Sequence, residues 1–220
     1  MKKLILSALA CMLLCTGAFS AEKGFLKGKI LKIDMKEAID ERGGSSFNIG
    51  LGGISSSSAV SLLGVERALE KAAEDKEIAM IYLNIDHFFG SMSVVEEVRN
   101  YLKRFSAAGK PVVAWAAGLS NGSYYLGSVA DRLFLHPQGG GTLNGLGSTQ
   151  YFLKDLLDTL GVEVKLIRHG KFKSAGEMYI RNSMSPENRQ QYQDILEASW
   201  STMVEQMAAS RGIEATQLRE

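Results

Sequence analysis

Cysteine is missing from all but the start of this 220-residue sequence, and histidine is rare. Cys11 and Cys15 both lie within the first 20 residues, so the remainder can form neither a disulfide bond nor a cysteine–zinc site. The three histidines, His87, His136 and His169, show none of the spacings of metal-binding pairs such as H-x-x-x-H. These absences argue against thiol catalysis and against a metal centre.

Common nucleotide-binding and hydrolase motifs are also missing, and charge of neither sign is in excess. The sequence has no G-x-S-x-G elbow, no G-x-x-x-x-G-K-[ST] phosphate loop and no G-x-G-x-x-G. It has 25 basic and 24 acidic side chains. Two of the basic ones, Lys2 and Lys3, belong to the N-terminal segment described next, so the body is close to neutral. We therefore expect no nucleic-acid partner.

The first 20 residues have the pattern of an export leader. Lys2 and Lys3 precede an apolar run from Leu4 to Phe19, and an A-F-S-A sequence offers a cleavage site after Ser20. The run is shorter than the roughly 20 apolar residues that a spanning helix needs. Two interpretations stay open, a cleaved signal peptide and a retained N-terminal membrane anchor. Both predict that the body lies outside the cytoplasm.

The body divides by composition into residues 21–60 and 61–220. In the first part a strand over residues 28–35 precedes a Gly/Ser-rich segment, 41–58, that we expect to form a flexible loop. From residue 61 onward helical and strand patterns alternate. Helices are predicted over 61–76, from a Ser93-x-x-Glu96 capping box to Gly109, and over 124–130, 150–160 and 185–210; strands are predicted over 78–85, 111–117, 133–135 and 162–168. Such alternation predicts an α/β fold, a mostly parallel sheet with flanking helices.

Residues 170–175, with the sequence G-K-F-K-S-A, have catalytic potential. A lysine acts as a general base only when its amine is neutral, so the ordinary lysine pKa of about 10.4 must fall toward 7. Lys171 and Lys173 share one face if the stretch is extended, and spacing alone does not choose between them. A pair of solvated lysines is the commoner arrangement, because lysine is rarely fully buried.

This lysine segment resembles that of a protease family. Gly170–Glu177, followed by M-S-P-E-N-R at 184–189, is similar to the lysine motif of SppA-type signal peptide peptidases, which use a Ser/Lys dyad. Segments 110–114 and 122–139 are also similar, and the similarity extends from about Gly28 to the end of the chain. The resemblance implies a Clp protease/crotonase-like fold and a serine endopeptidase that degrades remnant signal peptides at the membrane without a metal or cofactor.

The resemblance also assigns roles to three residues. By position, Lys173 is the general base, Ser174 lies beside it and is a candidate to orient its amine, and Glu177 matches an acidic position of the family. The family proline after that glutamate is replaced here by Met178, and Gly176 stands where a larger apolar residue is usual.

The expected nucleophile is missing from these 220 residues. Short family members place a Ser-Gly-Gly sequence just before a Tyr-Tyr pair, but here Asn121 stands three residues before Tyr124. Two-domain members carry the lysine in the first half and the serine in the second. The resemblance therefore implies that residues 61–220 are the N-terminal half of such a peptidase, with the serine in a C-terminal domain beyond Glu220 and no activity in this half alone.

Other interpretations remain open. Ser120 or Ser123 could serve as the nucleophile of a self-sufficient Ser/Lys peptidase, or the chain could be a non-catalytic peptide-binding scaffold. A crotonase-like enzyme acting on thioesters is a more distant alternative, which the export leader disfavours. From the resemblance we further expect a homo-oligomer that binds signal peptides or other extended apolar peptides on the periplasmic side of the inner membrane.

Overall fold

The computed structural model describes residues 28–35, 38–50, 53–86 and 90–219. The predicted leader and His87 lie outside the described residues, and both interpretations of the leader stay predictions. In the part of the chain that is described, no helix combines the length and the apolar character needed to cross a membrane.

The described residues fold into strands and helices that alternate along most of the chain. In chain order they are β1 (Lys29–Asp34), β2 (Ala38–Asp40), β3 (Gly44–Gly50), β4 (Gly53–Ser61), α1 (Leu62–Glu74), β5 (Ile78–Asn84), α2 (Met92–Ala107), β6 (Val112–Ala116), α3 (Asn121–Gly127), β7 (Arg132–Leu135), α4 (Lys154–Thr159), α5 (Glu177–Ile180) and α6 (Pro186–Arg211), followed by a short 3₁₀ helix (Ala215–Leu218).

The central sheet has the strand order β1-β5-β6-β7, and all its neighbouring strands are parallel. Parallel neighbours need crossover connections, which α1, α2 and α3 supply after β1, β5 and β6. The register sets Ile81 beside Val112 and Ala114 beside Leu133. The predicted α/β architecture, a mostly parallel sheet with flanking helices, is confirmed.

A second sheet replaces the loop predicted over residues 41–58. β3 and β4 form an antiparallel hairpin from the pair Gly44–Ala59 to the pair Gly50–Gly53, and β2 lies parallel to β4 on its other side. The loop prediction was wrong because it judged the segment by its lack of apolar side chains. Backbone groups pair across a hairpin whatever side chains they carry, and serine and glycine do not prevent that pairing.

Serine residues cap four of the described helices, α1, α2, α3 and α6. Ser61 caps α1, and Ser185 caps α6. The sequence predicts the second of these caps, because Ser185 precedes Pro186 at the first helical position. At α2 the cap is Ser91, whose hydroxyl accepts from the backbone N–H of Val94, so the predicted box at Ser93 and Glu96 was wrong. The helix starts two residues earlier because Ser91 already offers the first turn an acceptor.

Two other predicted elements differ from the structure. The helix predicted over 150–160 begins only at Lys154, and residues 162–168, predicted to be a strand, pair with no described strand. Strand propensity is not sufficient to form a strand, because a ladder requires a neighbouring strand. The extent of α6, in contrast, agrees with the prediction, and it ends at Gly212 in the left-handed region with φ 64°.

The hydrophobic core lies between the central sheet and helices α1, α2 and α6. Alternate or successive apolar residues of the inner strands are fully buried, among them Ile81, Leu83, Val112 and Ala114. One face of α2 packs against them with Val95, Val98, Leu102 and Phe105, and α6 contributes Met203, Val204 and Met207.

A buried arginine ties three helices together beside this core. The guanidinium of Arg99 in α2 lies 4.0 Å from the ring centroid of Tyr125 in α3 and donates to the hydroxyl of Ser128 at 2.7 Å. It also donates to the hydroxyl of Ser210 in α6 at 3.2 Å. Charged groups are costly to bury without partners, and these contacts fix α3 relative to α6.

Lys110 caps the C-terminus of α1, and its replacement tests that contact. Its amine donates to the carbonyl oxygens of Ala72 at 2.8 Å and Asp75 at 2.6 Å. We predict that Lys110→Met lowers the free energy of unfolding by about 1–3 kcal/mol, because both hydrogen bonds come from a charged donor. Lys76→Met, at an exposed position in the following turn, is the matched control. If urea unfolding gave the same free energy of unfolding for both variants, it would contradict the capping role of Lys110.

Candidate functional site

The lysine segment is a turn whose ends are held by one arginine. Gly170 has φ 89°, in the left-handed region where glycine is favoured, and the chain bends there ahead of Lys173. The guanidinium of Arg168 donates to the carbonyl oxygen of Lys173 at 3.2 Å and to the carboxylate of Glu177 at 3.1 Å. Arg168 thereby fixes the backbone of Lys173 against the start of α5.

Lys173 lies at an open cleft of about 630 Å³ between this turn and α6. Its side chain is exposed, and its amine has no hydrogen-bond or ion-pair partner among the residues that the structure describes. Lys171 is likewise exposed, but it does not line the cleft. The described chain therefore brings Lys173, and not Lys171, to a cavity, while leaving its amine open to water.

Apolar side chains surround Lys173 in the cleft yet remain exposed. Ile167 is 91% exposed, Ile195 63% and Phe172 58%, and all three line the same cavity. Large exposed apolar groups that lie together on a surface mark a place where another molecule or domain binds.

Ser174 is bonded to α6. Its hydroxyl donates to the Oε1 of Gln191 at 2.9 Å, and the amide nitrogen of Gln191 donates to the carbonyl oxygen of Phe172, also at 2.9 Å. Gln191 thus bonds both to the residue before Lys173 and to the residue after it. The backbone on either side of the lysine is held to one helix.

Glu177 is fully buried and accepts hydrogen bonds from two elements. Ser185 donates to it through its hydroxyl at 2.7 Å and through its backbone N–H at 3.1 Å, and Arg168 donates as described above. Burial alone raises the pKa of Glu177, but the hydrogen bonds from Ser185, Arg168 and Asn188 outweigh it and lower the pKa to about 2. Glu177 is therefore an ionised structural residue that joins the lysine turn to the cap of α6.

Local packing explains why residue 176 is a glycine. A Cβ at this position would lie 2.4 Å from the Cδ1 of Leu166, whose side chain packs directly over the glycine. The family usually has a larger apolar residue at this position. Here glycine leaves room for the side chain of Leu166, which lines the same cleft.

Ser120 and Ser123, the alternative nucleophiles, form the capping box of α3. The hydroxyl of Ser120 accepts from the backbone N–H of Ser123 at 3.3 Å, and the Ser123 hydroxyl accepts from the backbone N–H of Ser120 at 2.8 Å. Their two hydroxyl oxygens lie 3.2 Å apart. Both hydroxyls therefore have structural partners, and Ser123 is buried.

Asn121, at the position where short family members have serine, holds a loop. Its side-chain nitrogen donates to the carbonyl oxygen of Gly145 at 2.7 Å, and its Oδ1 accepts from the backbone N–H of Asn144 at 3.2 Å. The amide can make both bonds at once, whereas a serine hydroxyl is too short to span them. Asn121 therefore fixes the loop at residues 144–145 to the start of α3.

Two residues that hold the lysine segment, Arg168 and Gln191, were not found from the sequence. Arg168 and Gln191 act through contacts with residues separated from them in sequence, which no spacing rule reveals. The sequence predicts a helix that starts at Ser185, but it does not reveal the contact of this residue with Glu177. Across residues 28–35, 38–50, 53–86 and 90–219, no group of three His, Cys, Asp or Glu side chains is placed to hold a metal ion.

The low pKa of Glu177 predicts a pH-dependent stability. The carboxyl has a pKa of about 2 in the folded chain against an ordinary value of 4.5, so it stabilises the fold above pH 4.5 and loses that contribution as the pH falls toward 2. The shift corresponds to roughly 3 kcal/mol at neutral pH. We expect Glu177→Gln to be less stable than the parent at pH 7, with a difference that narrows from pH 5 to pH 3. Glu163→Gln, at an exposed site, is the control; a constant difference in urea unfolding across this range would contradict the assignment.

Comparison with known proteins gives relatives that share much of this chain. Residues 104–220 match the family model for peptidase family S49. "Protease 4" of Haemophilus influenzae is 33% identical over 155 residues, which are 70% of this chain and 25% of that protein. "Serine protease SPPA, chloroplastic" of Arabidopsis thaliana is 31% identical over 186 residues, 84% of this chain and 26% of that protein. The chain thus spans about a quarter of the length of these curated relatives.

Two solved structures also match, at low similarity. An enoyl-CoA isomerase from M. smegmatis has 16% identity and a TM-score of 0.30, covering 71% of this chain and 74% of that one. An enoyl-CoA hydratase/isomerase family protein from Silicibacter pomeroyi has 12% identity and a TM-score of 0.29, covering 72% and 82%. TM-scores this low support no conclusion about this chain. The family model and the curated relatives are decisive: the chain belongs to peptidase family S49, and its predicted resemblance to SppA-type peptidases is confirmed.

Proposed function

We propose that this chain supplies the lysine general base of a serine endopeptidase, and that the nucleophilic serine comes from a further, C-terminal domain. The observation that supports the proposal most is the position of Lys173. It lines an open cleft with exposed apolar sides, and its backbone is held by Arg168 and Gln191. A lysine held at a surface that another domain can cover fits a catalytic site shared between two domains.

The proposed reaction is a two-step acyl transfer. The incoming serine loses its hydroxyl proton to the neutral amine of Lys173 while its oxygen attacks the scissile carbonyl carbon. The ammonium then gives that proton to the leaving amine as the peptide bond breaks, which leaves an acyl-enzyme and a neutral lysine. A water molecule, deprotonated by the same amine, hydrolyses the acyl-enzyme and restores the serine. The residues needed are a serine and a lysine, so the proposal includes no metal or cofactor.

A covering domain would also prepare the lysine for this role. A lysine acts as a general base only when its amine is neutral. When another domain or a peptide covers Ile167, Phe172 and Ile195, water is displaced from the amine, and burial favours its neutral form. Covering of the cleft would therefore both bury its apolar sides and favour the neutral amine that a base needs.

Substrate and location complete the proposal. The exposed apolar cleft suits extended apolar peptides, of which remnant signal peptides are the class that the family resemblance implies. The leader pattern over residues 1–20 supports action on the periplasmic side of the inner membrane, with the protein anchored there or associated with the membrane surface. We also propose assembly into a homo-oligomer, as the resemblance implies.

Replacing Lys173 tests the assignment of the base. In the full-length protein, meaning the natural protein in which these residues occur, Lys173→Ala is expected to lower kcat/KM for an apolar peptide by about 10²–10⁴-fold, the usual contribution of a general base. Lys171→Ala, two residues away and outside the cleft, is the matched control and should retain the parent activity. Cleavage by Lys173→Ala at the parent rate would refute the proposal, as would equal losses in both variants.

The rival of a self-sufficient peptidase is tested at α3. We predict that Ser120→Ala and Ser123→Ala in the full-length protein leave kcat within about twofold of the parent, because neither hydroxyl attacks the substrate. Both variants should lose about 1 kcal/mol of stability through the damaged helix cap. If either variant loses activity as completely as Lys173→Ala while remaining folded, the nucleophile lies in this chain and the shared site is wrong.

A further inference from the structure

Core packing does not fix the position of the lysine turn, residues 170–175. The whole stretch 141–176 is described, and no side chain in it is buried. The first buried residue that follows is Glu177. A stretch with few buried contacts opens easily by local unfolding unless polar contacts hold it. The place of Lys173 in the fold therefore depends on hydrogen bonds.

Helix α6 is the fixed body to which this turn is held. Its C-terminal half is anchored in the core by Met203, Val204 and Met207, and the hydroxyl of Ser210 accepts a hydrogen bond from the buried Arg99. Its N-terminal half forms one wall of the cleft. An α-helix is stiff, because each backbone N–H is bonded to the carbonyl one turn before it. The helix therefore provides a rigid link from the core to the cleft.

The side-chain amide of Gln191 in α6 is bonded at both ends to the turn. Its Oε1 accepts from the hydroxyl of Ser174, and its nitrogen donates to the carbonyl oxygen of Phe172, each at 2.9 Å. A carbonyl oxygen can only accept, so the contact with Phe172 decides which end of the amide faces which partner. The single proton of the Ser174 hydroxyl is then directed at Gln191. One side chain thus holds the residues on both sides of Lys173.

Two other contacts hold the turn, and neither takes the place of Gln191. Arg168 donates to the carbonyl oxygen of Lys173, but it belongs to the same unburied stretch. Glu177 is bonded to Ser185 at the start of α6, four residues after the lysine. In the part of the chain that the structure describes, Gln191 is the only residue of α6 that is hydrogen-bonded to the immediate neighbours of the lysine.

We propose that Gln191 is a positioning residue for the base, an inference that rests on the proposed function. By holding both neighbours of Lys173 to α6, it sets the direction in which the lysine side chain leaves the backbone. It thereby sets the place of the amine when a serine is brought to the cleft. A misplacement of about 1 Å at a reacting group costs about 10²-fold in rate. Gln191 acts through the backbone of the turn, without a hydrogen bond to the amine.

Replacement of Gln191 by methionine, which has a similar length and no amide, tests this role in the full-length protein. We expect Gln191→Met to lower kcat for an apolar peptide by about 10–100-fold and to change KM by less than about twofold. Gln190→Met is the matched control. It removes an exposed hydrogen bond to Asp194 on the same helix, lies outside the cleft and should retain the parent kcat. Parent kcat in Gln191→Met, a higher KM alone, or equal losses in both variants would overturn the inference.

A double-mutant cycle tests whether Ser174 and Gln191 act as one unit. Ser174→Ala leaves the bond from Gln191 to Phe172 in place, so it should lower kcat by only about 3–10-fold. In the Gln191→Met background the same change should have an effect of less than about twofold, because its partner is already absent. Additive losses, or a larger loss in Ser174→Ala than in Gln191→Met, would show that Ser174 acts on its own and would contradict the proposal.

Trypsin measures the loosening of the turn independently of catalysis. It cleaves after lysine where the backbone is free to move, and Lys171 and Lys173 both lie in the turn. Cleavage there should be about tenfold faster in Gln191→Met than in Gln190→Met, because two hydrogen bonds no longer hold the turn. Equal rates count against the positioning role.

The proposed function and the positioning role fail by different results. Peptide cleavage that survives Lys173→Ala refutes the proposed base. A parent kcat in Gln191→Met, measured beside an inactive Lys173→Ala, refutes only the role of Gln191.

Discussion

The buried carboxylate of Glu177 is the interaction on which the geometry of the site depends. It accepts hydrogen bonds from the cap of the longest described helix and from Arg168, which in turn holds the backbone of Lys173. A buried charge is tolerated only when such donors surround it. The same contacts therefore stabilise the fold and set the position of the lysine backbone.

Lys173 is exposed to solvent although its backbone is firmly held. Rigid contacts fix its backbone, yet its amine faces water in a cleft with apolar sides. The proposed role of Lys173 as a base and the exposed apolar groups would both be satisfied if a second domain covered the cleft. Ser120 and Ser123 cap α3, and Asn121 is bonded to a loop. These contacts support the proposal that the nucleophile comes from another domain.

Local sequence signals predicted those features that local physics decides. The buried strands β5 and β6 are continuous apolar runs, and α6 has a serine cap, a proline at its first position and a terminal glycine. The resemblance, in turn, selected Lys173 over Lys171, which spacing alone could not do. Features that depend on contacts between residues far apart in sequence could not be predicted from local signals. The hairpin at 44–61 depends on backbone pairing, the contacts of Arg168 and Gln191 join separate segments, and residues 162–168 have strand propensity without a neighbour to pair with.

Labelling of the nucleophile tests the shared site most directly. The full-length protein is treated with a peptide that carries a serine-directed phosphonate, and the modified residue is identified by mass spectrometry. The account predicts one labelled serine outside residues 28–219, and loss of that label in the Lys173→Ala variant. A label on Ser120 or Ser123, or labelling that persists without the lysine, would contradict it.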